Sequence, residues 1–366
     1  MHIAIAQPRL SYFVGGAEVV AAEHSRGLVE RGHRVTVITT KMDRSELYAK
    51  VLRARVETVE VRLPASIQAV VPGENRWRWY AESLAFVREA EKILDSLDFD
   101  VLATHFAIDG LLALFTDRPS ILHLHGEATK PSFGAKIALE RSDLLLAGSQ
   151  SVADYWIKVR PAIASKLRLL RNGVDIATRP ALGTRQDYDV LFLGRLIRNK
   201  GVQDLIRAVA ELKSRGSIIS VAVVGDGPYA AELRSLAVQL GVEDTFHFLG
   251  LVAESEKDRL FGTARMFVVP SLGREPVLLT TLEAAAAGMP LIVTSAGGSL
   301  EFAQDGRNAL VVSPANPLAL AAAIERLLSD PQLASQIAAG AFDDVRGWSW
   351  PERVSEVEAH YRSVLT

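Results

Sequence analysis

The stretch RMFVVPSLGREPVLLTTLEAAAAGMPLIVTS, from Arg265 to Ser295, contains the pattern that decides the fold. Two apolar runs rich in β-branched residues, RMFVVPS and PLIVTS, flank an alanine-rich segment that is typical of a buried helix. A strand, a helix and a second strand in this order form a βαβ unit, which implies that the strands are parallel. Because the strands show little polar alternation, we expect a sheet that is covered on both faces.

The same alternation of short apolar runs and amphipathic segments continues in both directions along the chain. The predicted strands are MHIAIA, RVTVITT, VETVEVRL, FDVLATH, SILHLHG and DLLLAGS in the first half, and YDVLFLG, ISVAVVG, TFHFLG, RMFVVP, PLIVTS and NALVV in the second. A polar segment from Asp175 to Tyr188, which holds Pro180 and Gly183, is predicted to link two domains. We therefore expect an α/β protein with two Rossmann-like, doubly wound domains, residues 1–178 and 179–347, whose facing sheets form one cleft.

Composition excludes several classes of protein. The chain has 366 residues, of which 49% are hydrophobic, and a formal net charge of -2, which argues against a nucleic-acid-binding protein. The absence of cysteine excludes disulfides, zinc–thiolate sites and cysteine nucleophiles. The N-terminal MHIAIAQPRL lacks a basic segment, and no run reaches the roughly 18 apolar residues of a membrane span. We expect no signal peptide and a cytoplasmic location.

Two acidic residues stand out in the opening stretch. Glu275 is predicted to lie on the loop before a helix that starts near Leu278 to Thr280, and Glu283 one to two turns inside that helix. A helix N-terminus binds anions through its free N–H groups, and eight residues of helix span roughly 12 Å. We expect the phosphate at the helix start and the two acids beside it as acceptors for sugar hydroxyls. The alternative is a capping Glu275 and a solvated Glu283.

Three glycine-containing loops follow predicted strands. GRLIRNKG carries Arg195 and Lys200, whose charges suit a diphosphate, although both residues are compatible with an ordinary surface. Gly15 and Gly16 precede the first helix, where a ligand can approach the backbone closely, and a plain turn is the alternative. VGDGPYA matches only the loose dinucleotide pattern, through Gly225 and Gly227.

Two histidines occupy the end of one predicted strand. His123 and His125 alternate along SILHLHG, so that both side chains lie on one face of the sheet. A metal pair is conceivable, but no third ligand is evident nearby, and we predict no metal site. One histidine is expected to face the cleft, and the other to be packed or hydrogen-bonded.

Together these motifs resemble the retaining glycosyltransferases of family 4, which have the GT-B fold. The resemblance covers nearly the whole chain. It is carried by Glu275-x7-Glu283 with the following EAAAAGMPLIVTSAGGSLEFAQDGRNALVV, by GRLIRNKG, by VGDGP, by RNGVD at Arg171 to Asp175, and by GGAE at Gly15 to Glu18. WSWPERVSEVEAHY resembles the last helix of the family, which implies that residues 348–366 cross back to the first domain.

The resemblance implies roles for the donor-binding residues. Glu283 binds the ribose hydroxyls of the nucleotide, and Glu275 binds hydroxyls of the donor sugar. Arg195 and Lys200 neutralise the diphosphate and stabilise the leaving group. The remaining residues implied around the donor are Gly15, Gly16, Gly225, Gly227, Leu278, Leu279 and Thr280, with Glu301 as a further candidate.

The resemblance also implies the chemistry. His125 lies beside the transferred sugar, no protein nucleophile is implied, and neither a metal nor another cofactor is needed. The partners are a nucleotide sugar, GDP-mannose or a UDP-hexose, and a glycan, lipid-linked or small-molecule acceptor, with surface polysaccharide synthesis as the family's usual role. A lipid-linked acceptor implies peripheral contact with the inner face of the membrane, through Trp77 to Tyr80.

One departure from the family pattern bears on the donor. The family has Glu-Pro-x-Gly where this chain has Glu275-Pro276-Val277-Leu278, so a leucine side chain occupies the position of a glycine. Three other functions remain open: a nucleotide-sugar epimerase of the same fold, a non-catalytic binder of sugar nucleotides, and an NAD-dependent oxidoreductase. The last lacks the tight glycine loop that such enzymes carry.

Overall fold

The computed structural model describes residues 1–42, 45–67, 76–128, 131–176, 186–273 and 276–365. It divides into two compact units, one of Met1–Gly173 with Trp350–Thr366 and the other of Val174–Ser349. The first junction falls at residues 173 and 174, whereas the prediction put it at 178 and 179. The second falls at 349 and 350, whereas the prediction put it at 347 and 348. Pro180 and Gly183 of the predicted linker lie outside the described residues.

Each unit is built on one parallel sheet. The first has seven strands in the order β3-β2-β1-β4-β5-β6-β7, and the second has six in the order β10-β9-β8-β11-β12-β13. The strands are β1 (His2–Ala6), β2 (Arg34–Thr40), β3 (Glu57–Val61), β4 (Val101–Thr104), β5 (Ser120–Leu124), β6 (Leu144–Ala147), β7 (Leu167–Leu169), β8 (Tyr188–Leu193), β9 (Val221–Val224), β10 (Phe246–Gly250), β11 (Ala264–Val269), β12 (Leu291–Thr294) and β13 (Leu310–Val312). The prediction of two doubly wound parallel sheets is confirmed.

Helices connect these strands and cover both faces of each sheet. They are α1 (Gly16–Glu30), α2 (Glu46–Arg53), α3 (Arg76–Leu94), α4 (Phe133–Arg141), α5 (Gln150–Val159), α6 (Val202–Ser214), α7 (Ala230–Gln239), α8 (Glu254–Thr263), α9 (Leu279–Ala286), α10 (Pro317–Ser329), α11 (Pro331–Val345) and α12 (Trp350–Ser363). The helix predicted after Pro351 is α12, which belongs to the first unit and packs Val354 against Gly27 of α1.

The strands of the first sheet bury both of their faces. On β1, Ile3 and Ile5 pack in a core with side chains of α1 and α12, whereas Ala4 and Ala6 pack on the other face. That second face is covered by α3 through Phe86 and its neighbours. Burial on both faces explains why the strand sequences are continuously apolar rather than alternating.

The second sheet follows the same rule. Val190 of β8 packs with α6, α7 and α10, and Leu191, the next residue, packs with α8, α9 and α11. The alanine run of α9 is buried, with Ala284 and Ala285 fully inaccessible. Small side chains let this helix lie close to β11 and β12, which is why the run is alanine rather than leucine.

Candidate functional site

The strand order of the second sheet reverses between β8 and β11. From β8 the chain moves outward to β9 and β10, and it then crosses to the other side of β8 to form β11. In doubly wound sheets, ligands bind outside the carboxyl ends of the strands at such a switch point. The loops that follow β8, β9 and β11 therefore form the candidate site of this unit.

Contacts between backbones join these three loops. The N–H of Leu272, after β11, donates to the carbonyl of Asn199, after β8, over 2.8 Å. Gly201 has φ +76, and a Cβ there would lie 1.8 Å from the carbonyl oxygen of Pro270. Only glycine fits at this position, because a side chain would separate the two loops.

The VGDGP loop packs equally closely against the loop after β8. Gly225 has φ +126, and a Cβ there would lie 2.0 Å from the carbonyl oxygen of Gly194; a Cβ on Gly227 would lie 2.4 Å from that of Leu196. Close contact between neighbouring loops therefore already explains why glycine occupies these two positions, which were predicted to bind the donor.

The predicted cations lie at this edge. Arg195 follows β8 after one glycine, Gly194, and is half-buried. Lys200 ends the short 3-10 turn Arg198–Lys200 before α6, and only 9% of it is exposed. An arginine and a lysine at the carboxyl ends of the strands suit the phosphates of a ligand.

Helix α9 begins at the same edge without a side-chain cap. Leu278 is the N-cap residue, with φ -67 and ψ 136, and its side chain makes no capping hydrogen bond. Leu278, Leu279 and Thr280 are all half-buried. The first N–H groups of an uncapped helix are donors that an anion can satisfy. Glu275, predicted on the preceding loop, lies outside the described residues.

Glu283 has an ionic partner that the sequence did not predict. Its Oε1 accepts a hydrogen bond from Nζ of Lys257 on α8 over 3.0 Å, and the two side chains are 27% and 16% exposed. The alternative of a freely solvated Glu283 is wrong. Glu301 ends the 3-10 turn Gly297–Glu301 that follows β12, and it is half-buried at the same edge of the sheet.

In the first unit, the predicted glycines begin α1. Gly15 is the N-cap residue, and a Cβ there would lie 2.6 Å from Cε1 of Phe13 and 2.7 Å from Oε2 of Glu18. Gly16 is the first residue of the helix. The loop that carries them follows β1, which lies beside β4 where the strand order of this sheet reverses.

His125 lies in a cluster of four histidines: His24 on α1, His105 after β4, and His123 and His125 in and after β5. Nδ1 of His105 and Nε2 of His125 are 2.9 Å apart, and Nε2 of His123 is 2.8 Å from the hydroxyl of Tyr361. Burial lowers the pKa of His24 to about 3 and that of His125 to about 4. The imidazoles are therefore neutral at pH 7. No third ligand is evident near this pair in the sequence, but the fold brings His24 and His105 beside it from other segments.

A buried ion pair is a second feature that the sequence did not predict. Nη2 of Arg9 lies 2.9 Å from Oε2 of Glu82, and both side chains are 0% exposed. The guanidinium lies 4.6 Å from the ring centroid of Trp79, and Tyr12 donates to Glu82 over 2.6 Å. Burial raises the pKa of the nearby Asp109 to about 7, although the charge of Arg9 opposes the shift. The ion pair joins the loop after β1 to α3.

Two remaining motifs are placed as follows. Trp77 is 82% exposed at the start of α3, next to the exposed Arg78. In RNGVD, a Cβ on Gly173 would lie 2.4 Å from Cε3 of Trp350, so this glycine allows α12 to pack on the chain.

No helix among the described residues combines the length and the hydropathy needed to cross a bilayer.

Comparison with known families and proteins agrees with this geometry. The family model described as "Glycosyl transferases group 1" matches residues 177–343, and "Glycosyltransferase Family 4" matches residues 14–178. The D-inositol 3-phosphate glycosyltransferase of Frankia alni is 29% identical over 391 residues, covering 96% of this chain and 95% of that protein.

Two solved structures share the fold. Sucrose-phosphate synthase from Thermosynechococcus elongatus superposes with a TM-score of 0.80 at 21% identity, covering 99% of this chain and 98% of that one. HepE from Anabaena, solved in complex with UDP and glucose, has a TM-score of 0.79 at 21% identity and covers 99% and 100%. The two family matches follow one another along residues 14–343, the first over β2 to β7 and the second over β8 to β13. The chain therefore belongs to the glycosyltransferases of family 4 and has their GT-B fold.

Proposed function

We propose that this glycosyltransferase is a retaining, metal-independent enzyme that moves a hexose from a nucleoside-diphosphate sugar to an acceptor. The observation that carries the proposal is the convergence of positive groups at the switch point of the second sheet. Arg195, Lys200 and the uncapped start of α9 lie on loops that contact one another. Such a convergence suits the diphosphate of a donor.

The positive groups act on the leaving group. When the bond between C1 of the sugar and the diphosphate breaks, negative charge grows on the departing phosphate. Two fixed cations and the first N–H groups of α9 stabilise that charge more in the transition state than in the bound donor. These groups supply the charge that a metal ion supplies in other transferases, and on this ground we propose independence from a metal.

The acids orient the sugars. Glu283 accepts hydrogen bonds from the ribose hydroxyls, and Lys257 fixes its carboxylate in place. Glu275 retains its predicted role at the donor sugar, and His125 its predicted place beside the transferred hexose. A neutral imidazole such as that of His125 can accept or donate a hydrogen bond to a hydroxyl without titrating near pH 7.

Retention needs no covalent intermediate in this scheme. The acceptor oxygen forms its bond to C1 on the face from which the diphosphate leaves, and the acceptor proton passes to the departing phosphate oxygen. Gly15, Gly16, Gly225 and Gly227 leave the backbone accessible to the donor. These assignments follow the family resemblance and are part of the proposal.

The donor and the acceptor class are narrowed by similarity only. HepE was solved with UDP and glucose, which favours a UDP-hexose, with GDP-mannose as the other candidate. The relative from Frankia alni acts on D-inositol 3-phosphate by its name, which favours a small-molecule acceptor over a glycan or a lipid-linked acceptor. Trp77 and Arg78, exposed side by side on α3, are the proposed peripheral membrane contact of a lipid-linked alternative.

The test is a transfer assay on chelator-treated protein. UDP-glucose, UDP-galactose and GDP-mannose are each incubated with inositol phosphate, simple glycosides or a lipid-linked acceptor, and the product anomer is read by proton NMR. The proposal expects an α-linked product from an α-linked donor, unaffected by EDTA. An inverted anomer would overturn retention, and activity that returns only with added Mg²⁺ or Mn²⁺ would overturn metal independence.

The same assay separates the alternatives. An epimerase releases free nucleotide without an acceptor. A non-catalytic binder binds a donor but forms no product. Leu278 at the N-cap of α9 is the feature that favours this alternative. An oxidoreductase changes the absorbance of NAD.

A further inference from the structure

Three histidines from distant parts of the first unit meet inside it. His24 lies on α1, His105 follows β4, and His123 lies in β5. One ring nitrogen of each lies within 4.8 Å of the others. The three residues are 1%, 0% and 2% exposed. Their rings contact one another, with 4.3 Å between the centroids of His105 and His123 and 5.5 Å between those of His24 and His123.

Several nitrogens of this group have no hydrogen-bond partner in the described part of the chain. They are Nδ1 and Nε2 of His24 and Nε2 of His105. Buried polar atoms in native proteins are almost always satisfied by protein, by water or by an ion. A buried ring with both nitrogens unsatisfied is unfavourable. We therefore expect a bound water or ion to supply a partner for the ring of His24.

The opposite nitrogens of the other two rings are already held. Nδ1 of His105 pairs with Nε2 of His125 at 2.9 Å, and Nε2 of His123 pairs with the hydroxyl of Tyr361 at 2.8 Å. A metal-binding histidine characteristically has its second nitrogen held in this way, because the outer partner fixes the ring and its tautomer. Nε2 of His105 and Nδ1 of His123 are then the nitrogens that remain for a ligand.

We propose that His24, His105 and His123 bind one divalent transition-metal ion of the zinc class. Three neutral imidazoles are a known ligand set for Zn²⁺, with a water or hydroxide in the fourth position. Burial keeps all three rings neutral, which is the form that binds a metal. All three residues belong to the first unit.

Closing the site needs a change of ring orientation. Nitrogens that share a tetrahedral zinc are about 3.4 Å apart when each bond is about 2.0–2.1 Å, so nitrogens that now lie within 4.8 Å of one another must move closer. The rings of His105 and His123 are stacked with an interplanar angle of 4°. An imidazole binds a metal in its own plane, so one of these two rings has to rotate out of the stack when the ion binds.

A bound ion would cross-link elements that no disulfide can join, because the chain has no cysteine. It would connect α1 to β4 and β5 and, through the hydroxyl of Tyr361, would stabilise the docking of α12. With the ion on Nε2 of His105, the proton of that ring stays on Nδ1 and is donated to Nε2 of His125. The ion therefore fixes His125 as the tautomer that carries its own proton on Nδ1.

The experiment uses the full chain, free of any affinity tag and stripped with a chelator. Titration with Zn²⁺ in a calorimeter should show one site per chain, and one equivalent should raise Tm by on the order of 5 °C. His24→Gln should weaken Zn²⁺ binding by roughly 100-fold. His247→Gln, the same change at an exposed histidine of β10, should leave it unaltered.

A second measurement on the unaltered chain guards against a variant that fails to fold. Zinc-edge X-ray absorption of the 1:1 complex should fit about three imidazole nitrogens at about 2.0–2.1 Å. The proposal is overturned if no site fills at one equivalent, if binding survives His24→Gln, or if absorption fits fewer than two imidazoles.

Discussion

For Glu283, the sequence predicted the need for a partner but not which residue the partner is. A single acid among small apolar neighbours, LEAAAAGMP, indicated that it needs a partner. The partner, Lys257, lies 26 residues earlier on another helix. No periodicity relates the two residues, because only the packing of α8 beside α9 brings them together. For the same reason, the sequence did not predict that His24 and His105 lie beside His123, because both are distant from it in the chain.

Replacing Glu283 should weaken donor binding and leave the fold intact. In Glu283→Gln the carboxylate that is proposed to accept the ribose hydroxyls is lost, and a hydrogen bond to a charged group contributes about 1.5–3 kcal/mol. We expect the Kd for the nucleotide sugar, measured by calorimetry, to rise by roughly 10- to 100-fold. The side chain is 27% exposed, so Tm should change little.

A matched control for this prediction is Glu211→Gln. Glu211 is also a partly exposed helical glutamate with an ionic partner, Arg215 at 2.7 Å, but it lies in the last turn of α6, away from the carboxyl ends of the strands. Its replacement should leave donor affinity unchanged. Equal losses of affinity in the two variants would contradict the ribose assignment.

Asp109 should make the stability of the first unit depend on pH. Burial raises its pKa from 3.8 to about 7. Between these values the folded state holds a proton that the unfolded state has lost, so this group's contribution to stability falls as pH rises through that window. Asp109→Asn removes the effect. Its free energy of unfolding relative to wild type should increase by about 2–3 kcal/mol from pH 5 to pH 8.

Urea denaturation at the two pH values measures this difference. Asp98→Asn, at a carboxylate whose side chain is 95% exposed, serves as the control and should give the same offset from wild type at both. A pH-independent offset for Asp109→Asn would mean that the carboxyl group is not protonated in the folded protein.

At the scale of the element, the loop after β9 should tolerate no side chain at Gly225. An alanine there combines φ +126 with a Cβ 2.0 Å from the carbonyl oxygen of Gly194. We expect Gly225→Ala to lower the free energy of unfolding by more than about 3 kcal/mol and to weaken donor binding. Urea denaturation and calorimetry give the two readouts.

Gly216→Ala isolates the cost of the backbone angle. Gly216 also has a positive φ, +89, but a Cβ there meets nothing within 4 Å. This variant should lose only about 1 kcal/mol and keep its donor affinity. A similar loss in both variants would show that steric contact between the two loops is unimportant.

Most elements could be predicted from apolar runs and helical periodicity. The run RVTVITT became β2, and the stretch after Leu278 became α9. The three-residue β7 was missed, because LRL is too short to carry a strand signal of its own and pairs at the edge of the sheet with β6. The uncapped start of α9 was also not readable, since Leu278 resembles any other apolar residue before the helix.

At the scale of the whole molecule, the prediction of two domains rested on the repeated strand–helix pattern and on one polar segment. The structure divides the chain five residues earlier, after Gly173 rather than residue 178. The difference arises because Gly173 packs against Trp350 and so stays with the first unit. That contact involves a residue near the other end of the chain, which a local reading of composition does not detect.

We propose that the second unit binds a nucleoside-diphosphate sugar without a metal ion. The most direct measurement is calorimetry of the metal-stripped chain in EDTA with GDP-mannose, UDP-glucose, UDP-galactose, UDP-N-acetylglucosamine and, as a control, NAD. We expect one nucleotide sugar to bind selectively, and we expect Arg195→Ala to weaken its binding by roughly 10-fold or more. Binding of NAD alone, or nucleotide-sugar binding that requires added Mg²⁺, would contradict it.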